Sequence, residues 1–173
     1  MPNWCSNRVV LIGDQDLLTQ LRESVKSSES DFDFDKVVPG RPEEGWYEWS
    51  IENWGTKWNA GDANVERGDG ELAFTFDTAW GPCVPLVAAL SAQYPTLRIV
   101  HMYAEPGMGF GGLVRYEGGE AVETEHAEDS KSVASLSEWH QWAIGYDEDD
   151  LNDADAEDEL FDEDEDDNEG GVE

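Results

Sequence analysis

The longest continuous run of large aliphatic residues is Val9-Val10-Leu11-Ile12, within residues 4–13. A β-branched and aliphatic run without alternation predicts a central strand buried on both faces. Gly13-Asp14 stops it, and Asp14 is placed to cap a following helix. There Leu17, Leu18, Leu21 and Val25 fall on one helical stripe, which residues 27–30 bring to an end. Phe32 and Phe34 then alternate with Asp31, Asp33 and Asp35, which predicts a half-exposed strand or edge segment ending at Pro39. Residues 40–59, rich in Trp, Gly and charge, read as irregular.

Residues 63–67 and 71–78 flank Gly68-Asp69-Gly70, a hairpin signal. In the second arm Leu72, Phe74 and Phe76 alternate with Ala73, Thr75 and Asp77, a period of two. Trp80-Gly81-Pro82 turns the chain into a second helix, with Cys83, Val87, Leu90 and Tyr94 as its apolar stripe and Pro95 as its end. Residues 97–105 and 110–117 form another hairpin through Gly107-Met108-Gly109, and residues 121–125 extend the sheet. Ser135-Leu136-Ser137-Glu138 matches a capping box, so a short helix with Trp139, Trp142 and Ala143 on one face is expected. The order is that of a split βαβ pattern: an α+β, ferredoxin-like antiparallel sheet with two helices on one face. The name denotes a fold and no iron–sulfur cluster, because Cys5 and Cys83 cannot supply the usual four ligands. The expected domains are a ferredoxin-like unit over residues 1–128, a linker with the Trp-containing helix over 129–146, and an acidic tail over 147–173.

Charge changes the picture most at the end of the chain. The formal charge is −31, from 41 acidic and 10 basic residues; 17 of the acids lie in residues 147–173, which hold no Lys or Arg. Self-repulsion there outweighs what Leu151, Leu160 and Phe161 could bury, so a disordered tail is expected. Residues 1–146 still carry 24 acids against 10 bases, a formal −14. Such a surface repels nucleic acid directly and steers toward basic proteins or cations. An acid-rich, salt-loving source with no specific partner is the competing reading. No apolar run is long enough for a membrane span. Without a signal-peptide pattern at the N-terminus, and with two cysteines expected as thiols, the expected location is the cytoplasm.

The richest constellation is Asn53-Trp54-Gly55-Thr56-Lys57-Trp58. Taken with Met1-Pro2-Asn3-Trp4-Cys5, Asn7, Thr78-Ala79-Trp80-Gly81-Pro82 and Tyr103-Ala104-Glu105, it resembles the YubB ferredoxin-like domain family over residues 1–117. The resemblance implies the ferredoxin-like fold and a source on phages, plasmids or other mobile elements; it brings no established activity. The chain departs from the family in placing Cys83 after Trp80-Gly81-Pro82, where a second proline is common. The acidic tail lies outside the family pattern.

Asn53, Trp54, Lys57, Trp58, Trp80 and Glu105 are the candidate ligand- or partner-binding residues. A Lys among indoles binds anions or makes cation–π contacts, and burial there would lower its pKa. Equally, the indoles pin an irregular loop, with Asn53 on turn amides and Lys57 paired to Glu105. Cys5, Cys83, His101 and His126 lack paired metal-ligand spacing, so no metal and no cofactor is expected; the cysteines fit better as small buried residues. Pro2 would be a secondary amine at a strand start if Met1 were removed, yet Arg8 stands alone where an anionic substrate would need several cations. Gly109–Gly112 lacks the following helix that a phosphate loop requires, and reads as a hairpin start with close backbone approach.

In the tail, Asp158, Glu159, Asp162, Glu163 and Asp164 around Leu160 and Phe161 could compete for the basic groove of a DNA-binding protein, or merely solubilise. The leading reading is a non-enzymatic binding protein of a mobile element acting on a basic host DNA-binding or defence protein. The alternatives are a small enzyme or ligand-binding domain built on the Trp/Lys/Glu cluster, and a self-assembling structural module.

Overall fold

The computed structural model describes residues 2–105 and 107–128. The expected Trp-containing helix and acidic tail lie outside the described residues. The order of elements is β1 (Trp4–Ile12), α1 (Gln15–Val25), α2 (Phe34–Val37), α3 (Trp46–Trp54), β2 (Gly61–Gly68), β3 (Glu71–Ala79), α4 (Val84–Gln93), β4 (Arg98–Glu105), β5 (Phe110–Glu117) and β6 (Glu120–Ala127). The strands form one antiparallel sheet in the order β2-β3-β1-β4-β5-β6. Strands β2-β3-β1-β4 reproduce the ferredoxin-like arrangement, and β5 and β6 extend it past β4. No described helix is long and apolar enough to cross a membrane.

The continuous apolar run of β1 is explained by its central place between β3 and β4. Cys5, Asn7, Val9 and Leu11 face the helices, while Val10 joins Ala73, Met102 and Leu113 in a smaller cluster on the other face. Asp14 caps α1 as expected, its carboxylate accepting the amides of Asp16 and Leu17 at 3.1 and 3.0 Å. Leu18, Leu21 and Val25 of that helix enter the main core beside Leu72, Phe74 and Phe76 of β3. The hairpin turns at residues 68–70 and 107–109 also fall where the sequence puts them.

Two expectations fail here. Residues 32–38 are not an edge strand: Phe32 and Phe34 are both fully buried, and α2 begins at Phe34. The Phe/Asp alternation fits a capped helical turn as well as a strand. Asp33 accepts the Asp35 amide at 3.0 Å, and Asn59 accepts the Phe34 amide at 2.8 Å while donating to Asp33. Residues 40–59 are not irregular either, because α3 runs through them between Gly45 and Gly55, at φ +71° and +84°. Trp46, Ser50 and Trp54 recur every fourth residue, and Ser50 and Trp54 are buried. The described residues therefore hold four helices where two were expected, and buried residues of all four join the main core on one face of the sheet.

Both sheet edges are charged. β6 presents Glu120, Glu123 and Glu125, so antiparallel pairing with a copy of itself would bring carboxylates together and disfavour edge-to-edge assembly.

Phe34 meets Phe32, Trp54 and Phe76 at ring-centroid separations of 5.7 Å each, so it joins the short helix, α3 and the sheet. Phe34→Ala should lower the unfolding free energy by about 3–5 kcal/mol, read from the urea midpoint. A half-exposed edge residue would cost far less.

Candidate functional site

The six candidate binding residues do not converge on one pocket. Asn53 donates to the Trp49 carbonyl at 2.9 Å, one helical turn back. Trp54 is a core residue: it is fully buried, donates its indole N–H to the Val38 carbonyl, and meets Phe34 and Trp49 edge-on. Glu105 is buried, and its carboxylate accepts the Gly107 and Met108 amides at 2.8 and 2.6 Å, building the β4–β5 turn. Among the described residues no ion pair joins Glu105 to Lys57.

The remaining three do come together, and they bring a residue that the sequence reading left out of the site. The Lys57 ammonium lies over the Trp58 ring, 3.8 Å from its centroid, and 6.0 Å from that of Trp80. Trp4, at the start of β1, meets Trp58 at 6.3 Å. Trp4, Trp58 and Trp80 are 46%, 40% and 52% exposed, so this group is a surface feature and no core. Lys57 is only half-buried and keeps access to water. Trp4 could have been found from strand period alone, since it lies on the opposite face from inward-pointing Cys5, Asn7 and Val9.

The frame that holds these indoles is braced by hydrogen bonds. Trp80 sits at φ +72°, a left-handed conformation that a bulky residue adopts at a cost. Its amide donates to the Asn3 carbonyl at 2.9 Å. On either side of it, Thr56 donates to the Ala79 carbonyl at 3.0 Å and Thr78 to the Gly81 carbonyl at 2.7 Å. Gly55 permits close approach: a Cβ there would stand 2.8 Å from the Pro82 carbonyl oxygen and 2.7 Å from Pro85 Cδ.

Beneath the frame lies a buried polar knot centred on Asn7. Its amide nitrogen donates to the Cys5 carbonyl at 2.9 Å and to Thr78 Oγ1 at 2.8 Å. Its oxygen accepts from His101 Nε2 at 2.9 Å and faces the Cys83 thiol at 3.9 Å. With Nε2 carrying the proton, Nδ1 is the bare nitrogen, and it is buried without a hydrogen-bond partner. Burial lowers the His101 pKa to about 3, so the ring is neutral. Burial pushes the Cys5 thiol up to about 12 and raises Cys83 well above its usual value. Neither is a ready thiolate, which argues against a Cys–His nucleophile. No group of three or more His, Cys, Asp or Glu placed to hold a metal occurs among the described residues, and His126 lies apart, 3.2 Å from Tyr103 Oη.

Two further sequence readings find their places. Arg8, the lone cation considered for an anionic substrate beside Pro2, is ion-paired with Glu66 at 2.9 Å on the helix-free face. Gly112 is a site of close approach, where a Cβ would stand 2.3 Å from Tyr103 Oη and 2.7 Å from the Glu125 carbonyl. The following chain is strand β5 and provides no helix for a phosphate.

The neutral His101 has a consequence for stability. Its folded pKa lies below its unfolded value near 6.5, so the unfolded chain binds the extra proton as pH falls. The stability that depends on neutral His101 is complete above about pH 6.5 and declines toward pH 3. Between pH 6.5 and 5 the natural chain should lose up to about 1.4 kcal/mol per pH unit relative to His101→Gln. Urea titrations of both chains across that window check it.

A family model described as the ferredoxin-like domain in Api92-like protein matches residues 53–172. Uncharacterized protein YubB of Escherichia coli (strain K12) is 38% identical over 82 residues, covering 44% of this chain and 54% of that protein. The chain thus spans about half the length of that curated relative. The crystal structure of protein api92 from Yersinia pseudotuberculosis aligns over 55% of this chain and 39% of its own, at TM-score 0.47 and 23% identity. The YubB-like motifs thus agree with measurable similarity to YubB. One expectation is corrected: the family match reaches residue 172, so the acidic segment falls inside the matched range. The chain belongs to the family of the ferredoxin-like domain in Api92-like protein.

Proposed function

We propose that this chain is a non-catalytic protein-binding module whose contact surface is the exposed indole cluster of Trp4, Trp58 and Trp80 around Lys57. The observation that carries this reading is the exposure of three indoles on a braced frame, one of them held in a strained backbone conformation. Tryptophans so placed offer large amphipathic contact area at little further ordering cost, the usual character of an interface anchor. Catalysis is the weaker reading because Glu105 is used by turn amides, Asn53 by its own helix, and the two cysteines are buried thiols.

Charge selects the kind of partner. Along α3, exposed Glu48 and Glu52 lie one turn apart beside exposed Tyr47 and Ile51. The formal charge is −14 over residues 1–146 and −31 over the whole chain. A basic protein, such as a DNA-binding or defence protein of a host cell, complements that field. The tail residues around Leu160 and Phe161 extend the same attraction. Nucleic acid itself would be repelled. The YubB-like resemblance supports a mobile-element source.

Trp80→Gly separates binding from folding, since Gly adopts φ +72° without strain. Its unfolding free energy should be unchanged or higher by up to ~1 kcal/mol. In affinity capture from the host, the protein retained by the natural chain should be retained roughly tenfold less by this variant, a loss of about 1.4 kcal/mol. Retention should also fall as salt is raised, because the attraction acts between exposed charges. Equal retention by both chains, or retention indifferent to salt, would remove the support for this surface.

A further inference from the structure

All four described helices pack on one face of the sheet, yet the other face is dry at its centre. Val10, Ala73, Met102 and Leu113 point there from adjacent strands, with Ile12 and Val100 at their rim. Met102 is 1% exposed and Val10 is 4%. A side chain standing on an open sheet keeps part of its surface in water, so exclusion to this degree requires a cover. Arg8, on the same face, has only 11% of its side chain exposed. A cavity of about 300 Å³ lies between Val10, Met102, Leu113 and the rim, bounded by Glu71 and Arg115. It is lined mainly by apolar groups, as a site for side chains from another layer would be.

The occupant is chosen by where the chain goes next. β6 ends at Ala127, paired to Gly111 at one side of the sheet, and 45 residues follow Glu128. Three strand spacings of about 4.8 Å separate β6 from β1. Residues 128–135 could span roughly 26 Å if extended, more than the crossing requires. Beyond them Leu136, Trp139 and Ala143 recur at helical spacing with Trp142 alongside, after the capping box at residues 135–138. The family match continues to residue 172, so the ferredoxin-like pattern includes this stretch. Arg8, Arg98 and Arg115 stand on the same face, and the 17 acids of residues 147–173 follow directly. Apolar pattern, reach and charge order all match the chain's own C-terminal segment.

We propose that residues 135–146 pack as a helix across the helix-free face, with Leu136, Trp139 and Trp142 over Val10, Met102 and Leu113. The sheet is then covered on both sides, and the acidic residues leave from beside Arg8, Arg98 and Arg115. This gives the acidic segment a fixed point of departure from the domain and makes the dry face a self-interaction surface, closed to a foreign partner.

The test keeps the full chain. A nitroxide attached at Ser137→Cys, with buried Cys5 and Cys83 as unreactive thiols, should attenuate the methyl signals of Val10, Val100, Met102 and Leu113. The methyls of Leu18, Leu21, Leu86 and Leu90, beyond the sheet, should keep their intensity. Attenuation on neither side, or on the helix side only, overturns the proposal. Attenuation arising only between labelled and unlabelled molecules in a mixture assigns the cover to a second copy and also overturns it. A second measurement is the thiol-labelling rate of Met102→Cys. It should rise roughly tenfold or more when Trp139 and Trp142 are both replaced by Ala, while Cys5 and Cys83 stay protected. An unchanged rate overturns the proposal.

Discussion

The buried amide of Asn7 is the contact on which the indole-bearing end of this protein depends. A polar side chain pointing into a core is costly unless every donor and acceptor is matched. Here both amide hydrogens and the oxygen have partners, drawn from β1, β3, β4 and the residue before α4. One side chain therefore ties the central strand to both neighbours and to the chain entering a crossover helix. Asn7 and Thr78 place the Thr78 hydroxyl so that it can hold the Gly81 carbonyl, which defines the turn displaying Trp80. Displacing Asn7 would leave His101 with neither ring nitrogen bonded.

That buried matching explains how exposed tryptophans stay exposed. An indole on a flexible loop would collapse onto the nearest apolar surface. The backbone on either side of Trp80 is instead held through Asn3, Thr56 and Thr78, at a positive φ that the neighbouring contacts stabilise. Lys57 stacks on Trp58 and shields part of its ring while leaving its charge in water. In a chain with so few cations, this local positive charge sits among indoles.

The sheet and its two crossover helices were legible in the sequence. Strand and helix periods in β1, β3, α1 and α4 are set by local patterning, and the turns at residues 68–70 and 107–109 by glycine. The misses have a physical cause as well. The Phe/Asp alternation of residues 31–35 serves a capped helical turn as readily as a strand, and Asn59, 25 residues beyond Phe34, favours the turn. In α3 the pattern repeats over only two turns between glycines, too short a signal among exposed aromatic residues. Of the candidate site, Lys57, Trp58 and Trp80 were visible as types of residue. Local sequence gave no sign that Glu105 turns to its own hairpin or that Trp54 belongs to the core.

By itself the sequence determined the fold class, the family motifs, the sign and scale of the charge, and the lack of paired metal-ligand spacing. The fold class and charge follow from composition and short-range period and the family motifs from resemblance, none of which depends on what the chain later packs against. Tertiary structure decided which indoles face water, which polar groups match one another inside, and which sheet face stays dry without a described helix. Each of those depends on residues far apart in the chain. Trp4 meets Trp58 and Asn7 meets His101 only when β1 is set between its neighbours. Burial and hydrogen-bond matching are properties of that assembled arrangement, which local periodicity cannot encode.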